Sequence, residues 1–90
     1  YPMTKAALVM LTRHIASQFG SKGIRANALA PGGVLNNHDE SFIEKYRTHT
    51  SLGRMNKPEE IAGALLFLAS DASFGMTGET LVVDCGWRSR

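Results

Sequence analysis

Apolar residues recur at Leu8, Leu11, Ile15 and Phe19, the spacing that lines one face of a helix, and predict an amphipathic helix over about residues 2–19. Pro2 suits only a first turn, where its missing N–H does no harm, and Gly20 is the expected stop. The run Ile24-Arg25-Ala26-Asn27-Ala28-Leu29-Ala30 is short and bounded by Gly23 and by Pro31-Gly32-Gly33, so it reads as a strand feeding a glycine turn. Residues 36–50 are polar and irregular, with a short helix expected around Ser41 to Arg47. A second strong helix is expected from Pro58 to Ser70, with Pro58 in its first turn and Glu59 and Glu60 at the positive end of its dipole. Its stripe Ile61, Leu65, Leu68 is widened by Ala62, Leu66 and Ala69, which predicts burial around much of its circumference. After a polar turn over residues 70–78, Thr80-Leu81-Val82-Val83-Asp84 reads as a buried strand. Helix, strand, helix, strand gives an α/β class: a β-α-β unit with parallel strands and a right-handed crossover, preceded by one helix.

Composition narrows the classes of function. Ninety residues make at most one small domain, and 43% hydrophobic with 20% charged residues is the composition of an ordinary globular protein. The net charge is +2 and no basic run exceeds two residues, so a nucleic-acid surface is not expected. The longest apolar stretch, Ile61 to Ala69, is too short for the ~20 residues of a membrane span. A single cysteine, Cys85, cannot form an intrachain disulfide, which suits a reducing cytoplasm. No signal segment opens the chain, and a tyrosine at position 1 is not a translation start. The sequence is therefore expected to be a piece of a longer protein.

Candidate chemistry sits at the start. Tyr1 and Lys5 are four residues apart, so on a helix they share a face. An ammonium there favours phenolate over phenol and lowers the tyrosine pKa from about 10, which equips the pair to exchange a proton with a carbonyl or alcohol. The plain alternative is a solvated pair at a helix start. For Pro31-Gly32-Gly33-Val34 the alternative is an ordinary strand-end turn. His14, His38 and His49 lack ligand spacing with cysteines or carboxylates, so no metal site is read. The charges from Asp39 to Arg47 read as a solvated face, Met3, Met10, Met55 and Met76 as packing residues, and Cys85 as a core thiol.

Taken together, the segments resemble the C-terminal part of a short-chain dehydrogenase/reductase. The resemblance runs through Tyr1 and Lys5, then Gly23 to Gly32, then Leu52-Gly53-Arg54 with Pro58-Glu59-Glu60-Ile61-Ala62. It continues through Phe67-Leu68-Ala69-Ser70-Asp71 and Thr77 to Asp84. Five blocks in one order and spacing make it specific. It implies that residues 1–90 are the C-terminal part of a single NAD(P)-binding domain with a doubly wound parallel-sheet (Rossmann) fold, whose last two strands lie here. By the same resemblance Tyr1 is the acid/base that exchanges a proton with the substrate oxygen during hydride transfer. Lys5 lowers its pKa and binds the nicotinamide ribose. Pro31, Gly32 and Val34 form the turn that meets the nicotinamide carboxamide. Asn36 stands where the family usually has threonine, and Asp84-Cys85-Gly86 where Asp-Gly-Gly is commoner.

The resemblance further implies an NAD(P)-dependent oxidoreductase, with NAD or NADP in the full-length parent, interconverting a carbonyl and a secondary alcohol. Among relatives the pattern is similar to 3-oxoacyl carrier-protein reductases and to alcohol or sugar dehydrogenases. Asn36-Asn37-His38 with Asp84-Cys85-Gly86-Trp87 also resembles relatives from bacterial surface-sugar and flagellin modification. The polar stretch between Asp39 and Arg47, a substrate-covering loop in the family, favours a hydrophilic small-molecule substrate. Homo-oligomers (dimer or tetramer) are expected, with the Tyr-Lys helix in one interface and the last helix and strand in another. The family's phosphate loop and cofactor-selecting residue lie upstream of its tyrosine. The ninety residues alone are thus expected neither to bind dinucleotide tightly nor to catalyse. The alternative is a non-catalytic C-terminal oligomerisation fragment.

Overall fold

A computed structural model describes residues 2–89. Helix α1 spans Pro2–Phe19 and stops before Gly20, as the sequence predicts. Gly20–Lys22 add a 3-10 turn, and the left-handed residue is Gly23 at φ 79°, whose N–H returns to the Gly20 carbonyl at 3.0 Å. Only glycine enters that conformation without strain, which is why the reversal waits for Gly23.

Strand β1 is Ala28–Pro31, shorter at its start than the expected run from Ile24. Residues 25–27 bond outside the ladder. The Ala26 N–H donates to the Thr77 hydroxyl at 3.1 Å. The Asn27 amide donates to the Met76 carbonyl at 3.0 Å and accepts from the Glu79 N–H at 3.1 Å. Strand β2, Thr80–Val83, lies parallel to β1 with Ala28 opposite Thr80 and Pro31 opposite Val83. Parallel strands need a long crossover, and two helices fill it.

Helix α2, Glu40–His49, starts one residue earlier and ends two later than expected; Asp39 caps its start, the carboxylate accepting from the Phe42 N–H and the Ser41 hydroxyl, both at 2.9 Å. Helix α3, Pro58–Ala69, begins after Lys57, whose N–H donates to the Glu60 carboxylate at 2.7 Å.

The expected burial of α3 is not observed. Ile61 and Leu68 are half-buried, while Leu65 and Leu66 are 57% and 70% exposed. Two strands give the helix a platform only one stripe wide. On α1 the predicted stripe is covered only at Ile15: Leu8, Leu11 and Phe19 are exposed, and the other covered positions are Val9, Thr12 and Ala16. The radius of gyration, 15.2 Å, exceeds the about 12 Å of a compact domain of this length. Much apolar surface lies outside the small interior, whose buried residues include Met55, Cys85, Thr50, Asn56 and Ser73.

Candidate functional site

The carboxyl end of β1 is where this fold gathers its polar backbone. Past Pro31 the chain turns through Gly32 and Gly33. The Gly32 N–H donates to the Val83 carbonyl at 2.9 Å, and a Cβ on Gly32 would stand 2.8 Å from the Cβ of Asp84, so β2 closes against bare backbone there. A Cβ on Gly33 would strike the Tyr46 ring, so α2 rests its aromatic face directly on the turn. Val34 then forms a parallel bridge with Asn56: the Asn56 N–H donates to Gly33 at 2.9 Å, and the Leu35 N–H to Asn56 at 2.8 Å. That geometry points the N–H and C=O of Val34 to the opposite edge. The carbonyl accepts from His38 Nε2 at 3.2 Å, while no hydrogen bond among the described residues takes up the Val34 N–H.

Lys5 belongs to the same end of the sheet. Farther along α1, Ala16 packs beside Gly78, whose N–H bonds the Ala26 carbonyl just before β1. Lys5 lies eleven residues earlier, about 16 Å back along the helix axis, which is roughly the rise from Ala26 to Pro31 along the strand. Lys5 and Pro31 accordingly wall one cleft of about 570 Å³, together with Val9 and Thr12. A neighbouring cleft of about 620 Å³ runs past Pro31, Gly32 and Gly33 to Tyr46, Trp87 and Arg88.

The structure thus brings Lys5 and Pro31 to one cleft and Pro31 and Gly32 to its neighbour, with Val34 two residues along the turn. Asn36 is exposed in the bend before α2 and lines neither cleft. Tyr1 lies outside the described residues. Among the described residues no three His, Cys, Asp or Glu side chains converge as metal ligands. No helix among them is long and apolar enough to cross a membrane.

Three supports escaped the sequence reading. An aromatic chain, Phe42 to Tyr46 to Trp87 with His49 stacked on Trp87, ties α2 to the segment after β2 at centroid distances of 5.4, 4.9 and 5.4 Å. Arg54 grips Glu60 with two bonds of 2.7 and 2.8 Å, and this pairing, helped by the Lys57 N–H, lowers the Glu60 carboxyl to about 2. Asn56, 2% exposed, bonds residues 23 and 27 positions distant. Such pairings leave no periodic trace. The one available signal was an amide standing between a glycine-arginine pair and a helix-starting proline.

Comparison with known proteins gives this geometry a family. Residues 1–88 match the family model described as enoyl-(acyl carrier protein) reductase. Post-translational flagellin modification protein A of Campylobacter coli is 44% identical over 97% of this chain and 34% of its own length. L-rhamnose 1-dehydrogenase (NAD(P)(+)) of Azotobacter vinelandii is 42% identical over 96% of this chain and 36% of its own. The structure superposes with a TM-score of 0.91 on a gluconate 5-dehydrogenase from Burkholderia cenocepacia in complex with NADP and tartrate, 38% identical, over the whole of this chain and 38% of that one. The chain therefore spans about a third of the length of the curated relatives it matches. With its α/β architecture, parallel strands and glycine turn, it belongs to the short-chain dehydrogenase/reductases.

Proposed function

We propose that these residues are the C-terminal part of a single Rossmann domain in an NAD(P)-dependent oxidoreductase that interconverts a carbonyl and a secondary alcohol. The observation that carries the proposal is the cleft along β1 that Lys5 and Pro31 both line, with Pro31 at the carboxyl end of the strand. Open α/β sheets bind their ligands at that end of the strands. The residues fit a dinucleotide: the unclaimed Val34 N–H is a donor suited to a carboxamide oxygen, and glycines at 32 and 33 let the turn pack against Asp84 and Tyr46 so that this N–H keeps its outward edge.

The dinucleotide, when bound, supplies or receives the hydride. This chain's own part is proton management and orientation. Tyr1 exchanges a proton with the substrate oxygen, Lys5 holds its phenol acidic and donates to the ribose diol, and Val34 fixes the carboxamide. Pro31 and Gly32 shape the turn, and Asn36 supplies an amide on the exposed side of the bend. The rhamnose and gluconate dehydrogenases among the relatives, with the polar face of α2, favour a hydroxyl-rich small molecule as substrate. Exchange of Tyr1→Phe in the full-length enzyme is expected to abolish turnover while leaving dinucleotide binding; unchanged turnover would remove the assignment.

The exposed apolar faces of α1 and α3 favour a second reading, in which the ninety residues serve as a non-catalytic oligomerisation fragment. Dinucleotide titration of residues 1–90 alone separates the two. Micromolar binding contradicts the claim that this portion is incompetent by itself, and association without binding favours the assembly role.

A further inference from the structure

Asn56 is 2% exposed and makes bonds in four directions. Its side-chain NH₂ donates to the Val83 carbonyl at 2.8 Å and to the Gly33 carbonyl at 3.3 Å. Its backbone N–H reaches the same Gly33 oxygen at 2.9 Å, its backbone oxygen takes the Leu35 N–H at 2.8 Å, and its Oδ1 accepts from the Cys85 thiol at 3.1 Å. Chemistry fixes which way the amide points. Two carbonyls can only accept, so the NH₂ must face them, and Oδ1 is left for the thiol. Burial, first among the causes, pushes the Cys85 thiol up, so at neutral pH it keeps its proton and goes on donating.

The backbone carries a second sign. Cys85 sits at φ +53°, a left-handed conformation that glycine adopts without strain and a side chain does not. The side chain held there is the one that reaches Asn56.

We propose that Asn56, oriented by Cys85, is the positioning residue of the Gly32–Val34 turn, stapling its backbone to the end of β2 at the height where Val34 meets the nicotinamide. Asn56 touches neither cofactor nor substrate; it acts through the two peptide groups it holds. The inference rests on the dehydrogenase reading above and adds to it the group that sets the cofactor turn.

The test uses the full-length protein with Asn56→Ala, Asn56→Asp and Cys85→Ser. Alanine removes one of the two donors that each carbonyl has, leaving the Gly32 N–H on Val83 and the residue's own backbone N–H on Gly33, and the expected result is a rise of about five- to tenfold in dinucleotide KM. Aspartate sets an acceptor against two acceptors and should do more harm. Substrate KM should stay within about twofold, because no group facing the substrate is removed. Cys85→Ser keeps a donor for Oδ1 and should remain near wild type. Amide exchange is read in parallel: protection should fall at Gly32 and Leu35 while α1 and α3 keep theirs. If Asn56→Ala does not fold, Cys85→Ala removes only the thiol donor and should raise dinucleotide KM about threefold. An unchanged dinucleotide KM, or protection lost evenly along the chain, overturns the proposal. A wild-type protein that binds neither NAD(H) nor NADP(H) sinks the functional reading instead, and the staple is then judged by exchange at Gly32 and Leu35 alone.

Discussion

Glu60 does two jobs with one carboxylate. It closes the start of α3 through the Lys57 N–H and pairs with both terminal nitrogens of Arg54. Those bonds, the ones from Arg54 foremost, lower its carboxyl from 4.5 to about 2. A group whose folded pKa is depressed adds stability that is complete above the unfolded pKa and disappears as pH falls through the folded one. The contribution of Glu60 is therefore whole above about pH 4.5 and gone near pH 2. Both side chains are more than a third exposed, so solvent screening keeps it small. In the full-length protein, urea midpoints followed across that range should fall with acid, and Glu60→Gln should flatten part of the fall. Parallel curves for the two proteins would contradict the pairing. Gly33 offers a steric test at the same scale. A methyl group there enters the Tyr46 ring, so Gly33→Ala should destabilise by about 1–3 kcal/mol. Combined with Tyr46→Ala, the loss should be smaller than the sum of the two single losses in chemical denaturation.

At the scale of elements, Arg25 shows why the middle of the sequence was harder to read than its helices. Periodicity placed α1 and α3 within a residue or two, because each repeats one apolar stripe for three turns or more. Residues 24–27 read as strand on the same local evidence, yet Arg25 leaves the ladder. Its guanidinium donates to the carbonyls of Ser73 at 2.8 Å, Met76 at 3.0 Å, and Leu68 and Ser70 at 3.3 Å. These carbonyls lie at the end of α3 and in the turn that follows, past the reach of the helix's own N–H groups, and Arg25 adds a second donor to those that Asn27, Ser73 and Met76 supply. A guanidinium spreads five N–H donors over a rigid plane, whereas an ammonium has three that radiate from one atom and cannot span the same four carbonyls. Arg25→Lys should therefore lower the thermal stability of the full-length protein by about 1–3 kcal/mol, and a melting temperature equal to wild type would rule out the capping role.

For the whole molecule the governing fact is how little of the apolar surface is covered. Met3 is 85% exposed and Phe74 74%, and in a sheet of two strands each strand has an open edge. The chain matches about a third of the length of its curated relatives, and these are the surfaces that further sheet and helix, or a second copy, would cover. Residues 1–90 prepared alone should self-associate at micromolar concentration in sedimentation velocity. A monodisperse monomer would show that these faces tolerate water.

Local patterning determined the element types and their order, and through five ordered blocks it determined the family, because periodicity and motif both lie along the chain. Which face of each helix meets the sheet was not legible. Of the α1 stripe Leu8, Leu11, Ile15 and Phe19 only Ile15 is covered, while Val9, Thr12 and Ala16 beside it are covered as well. A hydrophobic pattern records that a face is apolar and not which surface covers it. The staple at Asn56 and the seat of Tyr46 on Gly33 were decided only in three dimensions, where hydrogen bonds and van der Waals contacts join residues that the chain keeps far apart.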